Sequence, residues 1–345
     1  MSYEALQCTS LSKNFKEAIE KLTLQKVERV PLKKGEVRVQ IYAAAVNFFD
    51  LLMLCGQYQH KPALPFTAGT EASGTVIEVG PGVPSYLKPG VDVMIGMSTG
   101  AMGDEMITPA LNCIPKPKEF SHVEAAGLFV GYSTAYNGLV QRGKLREGET
   151  LLVTGAGGGM GMAAVQLGKA LGATVIAVAS GEDKLAAAKK VGADHTILVP
   201  QKDLKSSNVL RDQVNKITKN KGVDVVYDVV GGDLFDQCVR IMGDEGRLLV
   251  IGFASGRIPA VPANLPLVKG FSVVGVRAGE SMRRHPEYAM EMFQALNGFT
   301  SKGHLRPFLE KVYQRGEYRE AFAALANRSV VGKSVIQWRE APAKL

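Results

Sequence analysis

The feature that most constrains this chain is a run of glycines between an apolar strand and a segment suited to a helix. Leu151-Leu152-Val153-Thr154 leads into Gly155-Ala156-Gly157-Gly158-Gly159-Met160-Gly161, and the helical stretch covers 160–171. Glycines let the backbone turn tightly and approach a pyrophosphate, whose charge is stabilised by the N–H groups of a helix start. The spacing Gly155-x-x-Gly158-x-x-Gly161 departs from the strict GxGxxG form, so the weight falls on its strand–loop–helix context. That context repeats downstream. Short apolar runs at 174–178, 223–229 and 247–252 alternate with helix-length segments at 182–191 and 234–242. This βαβα rhythm predicts an α/β fold with a Rossmann-type doubly wound parallel sheet and a bound dinucleotide.

The earlier part of the chain has a different period. From 35 to about 112 it shows short alternating runs such as Glu36-Val37-Arg38-Val39-Gln40-Ile41-Tyr42 and Gly74-Thr75-Val76-Ile77-Glu78-Val79-Gly80. Turn clusters, Gly80-Pro81-Gly82 and Lys88-Pro89-Gly90, close them off, as expected of half-buried strands in a mostly β domain. A last strand-like run at 332–338 either extends the parallel sheet or returns to the β domain. With 345 residues, 46% of them hydrophobic, two domains are expected. They are a β domain at 1–125 with a return of about 300–345, and a cofactor domain at 126–299.

The second strand of the parallel sheet bears on the choice of cofactor. NAD enzymes place an acid at its end to hold the ribose 2′-hydroxyl, whereas here Ala179-Ser180-Gly181 is followed by Lys184. Ser180 can donate to a 2′-phosphate and Lys184 can neutralise it, so NADPH is expected. The plainer reading has Ser180 capping the next helix and Lys184 in solvent.

Other classes are disfavoured. The net charge of +8 is spread among interleaved acids and bases, so a nucleic-acid partner is not expected. The N-terminus lacks the pattern of a secretory signal, and the longest uncharged stretch, 150–168, is too rich in glycine to span a membrane. Cys8, Cys55, Cys113 and Cys238 stand singly and read as idle thiols in a reducing compartment. His60, His122, His195, His285 and His304 form no ligand-spaced pair and are expected at the surface.

Val46-Asn47-Phe48-Phe49-Asp50, Gly56-Gln57-Tyr58, Ala68-Gly69-Thr70-Glu71-Ala72-Ser73-Gly74, Gly131-Tyr132-Ser133-Thr134-Ala135, the glycine loop and Val250-Ile251-Gly252-Phe253-Ala254-Ser255-Gly256 occur in this order. Together they resemble the medium-chain dehydrogenase/reductase superfamily, and within it the zinc-free NADPH:quinone oxidoreductase, zeta-crystallin-like group. The resemblance covers almost the whole chain and implies a GroES-like β domain beside the Rossmann domain. It also implies no metal. Zinc-dependent relatives use a Cys, the His of Gly-His-Glu and a further Cys, where this chain has Asn47, Thr70 and the cysteine-free 127–134.

Carried over residue by residue, the resemblance puts Asn47 and Tyr58 at the nicotinamide and Thr134 near the cofactor. It puts Gly155, Gly158, Met160 and Gly161 at the pyrophosphate, and Ser180 and Lys184 at the 2′-phosphate. Gly252, Phe253 and Lys333 close over the cofactor. Tyr58 and Asn47 are the candidate catalytic side chains, with Tyr58 or solvent as proton donor. The plainer readings are a turn for Asn47, a packed aromatic for Tyr58 and a solvated Lys333. There are two departures. The segment Gly192-Ala193-Asp194-His195 lacks the Tyr that follows it in relatives, and Arg277-Ala278 stand where relatives carry aromatics.

Without zinc to polarise a carbonyl, the acceptor must itself take hydride readily, as a quinone or an α,β-unsaturated carbonyl does. The alternative is a catalytically weak NADPH-binding protein of crystallin-like or RNA-binding role. A homodimer is expected. The ending Ala343-Lys344-Leu345 is similar to the Ser-Lys-Leu peroxisomal address read by an import receptor. A peroxisome or related organelle is therefore expected, with the cytoplasm as alternative.

Overall fold

The computed structural model describes residues 1–96, 99–200 and 208–341; Ala343-Lys344-Leu345 lie outside the described residues. The chain forms two compact units, Met1–Val130 with Leu309–Leu345, and Gly131–Phe308. The junctions thus fall at 130/131 and 308/309 rather than at 125/126 and about 300. The helix His122–Ala126 packs on the strands Glu36–Val46 and Glu71–Val79 and so stays with the β unit.

In the second unit six strands form one parallel sheet. Their order is His195–Leu198, Thr174–Ala179, Thr150–Thr154, Val223–Asp228, Met242–Val250, Ser272–Gly275. Counted along the chain this is 3-2-1-4-5-6, the order of a dinucleotide-binding doubly wound sheet. Its central strands are buried on both faces, Leu151, Leu152 and Val153 all lacking exposed surface. They therefore read as continuous apolar runs, as parallel strands covered by helices do. The helix Gly159–Ala170 follows the first strand and buries eight residues, including Gly161 and Gly168.

In the first unit a sheet of six strands in line, with Glu105–Pro109 paired to its strand Glu36–Val46, stands beside a small three-stranded sheet. The last strand, Ser334–Gln337, returns to this unit and pairs antiparallel with Glu36–Val46, Ser334 opposite Val46. Alternation marked 36–42 as strand, yet it runs on to Val46 through Ala43, Ala44 and Ala45, all fully buried. Ala126 and Val335 cover one face there, and the main core covers the other. Two covered faces leave no polar–apolar rhythm to read.

Cys8, Cys113 and Cys238 are buried free thiols and Cys55 is half-buried. Burial pushes the Cys113 thiol up to about 12, as befits an inert side chain. Among the described residues no helix is long and apolar enough to cross a membrane. His60, His195, His285 and His304 are exposed, but His122 corrects the expectation of a surface position. It is buried against Tyr42, ring centroids 4.6 Å apart, with Nδ1 2.8 Å from Ser73 Oγ. Ser73 spends its own proton on the Val93 carbonyl, so Nδ1–H donates to it.

Candidate functional site

In the second unit the glycine loop leaves the carboxyl end of the strand Thr150–Thr154, where open α/β sheets bind their ligands. Gly155 has φ +60°, in the left-handed region that favours glycine. A Cβ on Gly161 would lie 2.3 Å from the Gly155 carbonyl oxygen, so only glycine lets the helix start this close under the strand end. Gly158 is the N-cap residue and has no side chain with which to cap. The N–H groups of Gly159, Met160 and Gly161 therefore have no partner within the helix. A Cβ on Gly158 would meet only the Gly155 oxygen, at 3.7 Å, and one on Gly252 only the Val229 oxygen, at 3.6 Å. Open space beside two glycines, with helix-start donors facing it, fits a dinucleotide pyrophosphate.

Lys184 is half-buried and its stem lies on the loop: a Cβ on Gly157 would fall 2.3 Å from Lys184 Cβ. Gly157 makes room for the Lys184 stem, which runs along the loop whether its ammonium meets solvent or a phosphate. Ser180 is exposed, and the N-cap of the helix Glu182–Lys190 is Gly181, so Ser180 does not cap it. Phe253 is partly exposed, and Gly231 approaches its ring. Thr134, on the helix Phe129–Tyr136, is half-buried.

The floor of the loop is set by a pair that carried no role in the sequence reading. Thr154 Oγ1 donates to Asp228 Oδ1, joining the ends of two neighbouring strands. Asp228 also accepts from the Gly231 and Val230 N–H groups, at 2.9 and 3.3 Å. Burial pushes its carboxyl up against the pull of those three donors.

In the first unit Asn47, Thr70 and Lys333 come together with Asp50 and Glu71 as one buried polar cluster. Asn47 starts the helix Phe48–Leu54, and its N–H donates to Asp50 Oδ2 at 2.7 Å. Its amide Nδ2 donates to Glu71 Oε2 at 3.1 Å, and its Oδ1 accepts from Lys333 Nζ at 2.5 Å. Lys333 is not solvated: Nζ is 2.8 Å from Glu71 Oε2, and its stem crosses Gly127. Glu71 Oε1 takes the Val130 N–H at 2.8 Å, so both carboxylate oxygens are satisfied. Thr70 Oγ1 donates to Asp50 Oδ1 at 2.9 Å. Asp50 is fully desolvated, and this pushes its carboxyl up to about 7 despite the Asn47 N–H, the Thr70 hydroxyl and the Lys333 cation. Tyr58 is half-buried and stacks on Phe49, centroids 5.3 Å apart.

Sequence reasoning gave no role to Glu71 or Asp50. The signal was present in each case, an acid inside an apolar or small-residue run, which demands a partner once buried. Among the described residues no group of three or more His, Cys, Asp or Glu is placed to hold a metal ion.

Residues 33–142 match the family described as the alcohol dehydrogenase GroES-like domain, and residues 159–295 match the family described as zinc-binding dehydrogenase. A relative from Nematostella vectensis, named quinone oxidoreductase-like protein 2 homolog, is 35% identical over 98% of this chain and 90% of its own length. The CurK enoyl reductase structure aligns with a TM-score of 0.85 at 25% identity, covering 97% of this chain and 99% of that one. A mycobacterial protein solved with NADPH aligns at 0.83 and 27% identity, covering 97% and 100%. The glycine loop, the 3-2-1-4-5-6 sheet and these full-length matches agree: the chain belongs to the medium-chain dehydrogenase/reductase family of nicotinamide-dependent oxidoreductases, among its quinone oxidoreductase-like members.

Proposed function

We propose that the protein uses NADPH, without a metal, to reduce a quinone or an α,β-unsaturated carbonyl. The observation that carries the reading is the Lys184 stem packed on Gly157 of the phosphate loop, a few residues after a strand end that carries Ser180 where an NAD-selective site has an acid. The names of the quinone oxidoreductase-like and enoyl reductase relatives support the acceptor class, and the NADPH-bound neighbour supports the cofactor. When bound, the dinucleotide supplies hydride from nicotinamide C4. The chain supplies the rest. Gly158, Met160 and Gly161 hold the pyrophosphate by backbone N–H groups, and Ser180 and Lys184 hold the 2′-phosphate. Gly252, Phe253 and Thr134 confine the cofactor within the second unit.

In the first unit Asn47 is fixed by Lys333 and Glu71, so its amide can orient the acceptor carbonyl only as far as that network allows. Orientation and exclusion of water are then the protein's main contributions to rate. Tyr58, stacked on Phe49, is the hydrogen-bond donor to the acceptor in this reading, with solvent as the other source of the proton. The test follows NADPH and NADH oxidation against menadione, trans-2-nonenal and crotonyl thioester. Turnover of at least one acceptor with NADPH preferred supports the reading. No turnover, together with salt-sensitive RNA binding, would replace it with a binding role.

A homodimer is proposed with this activity. The strand Ser272–Gly275 is a sheet edge, and Leu267 and Val268 beside it are about 80% exposed, so a second copy would satisfy the edge and cover them. Sedimentation as a monomer at micromolar concentration rejects this. Peroxisomal import through Ala343-Lys344-Leu345 is proposed on sequence alone. Diffuse cytosolic signal from both the N-terminally tagged chain and a version lacking the tripeptide rejects it.

A further inference from the structure

Resting on the NADPH reading above, we propose that Asp228 is a positioning residue for the nicotinamide half of the cofactor, acting through the loops that follow the fourth and fifth strands of the parallel sheet. Strand order gives the direction. The second strand, with Ser180 at its end, lies on one side of the strand Thr150–Thr154, and the strands Val223–Asp228 and Met242–Val250 lie on the other. A dinucleotide whose 2′-phosphate meets Ser180 and whose pyrophosphate meets the glycine loop therefore extends its other half over the ends of those two strands. Asp228 ends the nearer of them and has no exposed surface. Among the described residues it makes no ion pair. A carboxylate buried without a cation is costly, so its hydrogen bonds must account for it.

Those bonds hold the turn 229–232. Oδ1 accepts the Thr154 hydroxyl and the Val230 N–H, and Oδ2 accepts the Gly231 N–H. Thr154 Oγ1 in turn accepts the Val229 N–H at 3.2 Å. Gly231 and Gly232 have φ +69° and +60°, and glycines impose little shape of their own, so the turn takes its shape from these partners. It then templates the next loop. The Asp228 carbonyl accepts the Ile251 N–H at 2.9 Å, the Val229 carbonyl the Ala254 N–H at 3.1 Å, and the Val230 carbonyl the Ser255 N–H at 2.9 Å. A Cβ on Gly231 would lie 3.0 Å from the Phe253 ring, and one on Gly155 would lie 2.7 Å from Val229 Cγ2. One carboxylate thus sets where Gly252 and Phe253 stand relative to the glycine loop. An amide of the same shape cannot replace it, because in either orientation its NH2 group faces a backbone N–H, that of Gly231 or that of Val230.

The experiment is calorimetry with two ligands, NADPH and adenosine 2′,5′-bisphosphate, a fragment that lacks the nicotinamide half. It uses the native protein, Asp228→Asn, Thr154→Val and Thr154→Ser, with thermal midpoints by circular dichroism as the check on folding. Asp228→Asn and Thr154→Val should each weaken NADPH about 10-fold, the effect of one donor left unpaired, while the bisphosphate binds as it does to the native protein. Thr154→Ser keeps the hydroxyl and should bind NADPH like the native protein. Asp228→Asn combined with Thr154→Val should lose less than the two single losses together, because both act through one turn. If Asp228→Asn does not fold, Thr154→Val against Thr154→Ser decides the matter. Equal loss of both ligands, no advantage of Thr154→Ser over Thr154→Val, or unchanged NADPH affinity in Asp228→Asn and Thr154→Val overturns the positioning role alone. A native protein that binds neither ligand overturns the NADPH reading along with it.

Discussion

The glycine loop of the second unit is partly open and the polar cluster of the first is buried, and they are made of different material. The loop is backbone: its donors are N–H groups, its shape comes from left-handed and close-packed glycines, and it spans seven consecutive residues. The cluster is side chain: Asn47 and Glu71 lie 24 residues apart and Asn47 and Lys333 lie 286 apart. A backbone site tolerates loss of any one side chain but no added atom. A side-chain site fails when one partner is removed, because the others remain desolvated.

The sharpest break of that comparison is at Glu71. Glu71→Leu leaves the Lys333 cation buried without its anion, which costs about 3–5 kcal/mol. The expected outcome is a marked fall in Tm, read by circular dichroism. Lys333→Met added to Glu71→Leu should recover most of it, since a buried pair replaced by apolar groups is often near neutral. If the double variant is no more stable than the single one, the pair is not what holds the cluster.

The loop should respond oppositely to two additions of one carbon. Gly161→Ala forces a Cβ to 2.3 Å from the Gly155 oxygen, and such overpacking costs roughly 1–3 kcal/mol. Both Tm and NADPH affinity should drop. Gly158→Ala meets nothing closer than 3.7 Å within the chain, so Tm should hold while calorimetric NADPH affinity falls. Equal stability loss at both positions would mean that the space beside Gly158 is not kept open for a ligand.

The same contrast explains what was legible. The loop, its flanking strands and the parallel sheet follow from local pattern, because glycine, apolar runs and helix starts act within a few residues. The cluster does not, because no local rule pairs Lys333 with Glu71 across the return of the chain. The resemblance named Asn47 and Lys333 for the cofactor, with solvent as the plainer reading for Lys333, and gave no sign that its ammonium pairs with Asn47 and Glu71. His122 was misplaced for a similar reason. Its partners, Ser73 and Tyr42, lie on strands 49 and 80 residues earlier, and an isolated histidine gives no sign of them.

Cofactor selectivity provides a smaller effect, confined to one phosphate. Lys184→Ala removes a charge-assisted contact worth roughly 1–3 kcal/mol. NADPH should bind about 10- to 100-fold more weakly by calorimetry, and NADH should be unaffected. An equal loss for both cofactors would show that Lys184 supports the loop through Gly157 rather than the 2′-phosphate.

The smallest expected effect is none at all, and it separates the cluster from a metal site. Asn47 and Thr70 stand where zinc-dependent relatives carry ligands, and their side-chain oxygens are already committed to Lys333 and Asp50. Neither is a soft, ionisable donor of the kind zinc selects. The Glu71 carboxylate beside Asn47 is neutralised by Lys333 at 2.8 Å. A divalent cation would have to displace that ammonium and leave it buried, at a cost of several kcal/mol. Exhaustive chelation should therefore leave both Tm and NADPH oxidation unchanged, and elemental analysis should find far less than one zinc per chain. Stoichiometric zinc that leaves together with activity would show that the cluster rearranges to admit a metal, and the ammonium–carboxylate pair would then be only one of its two states.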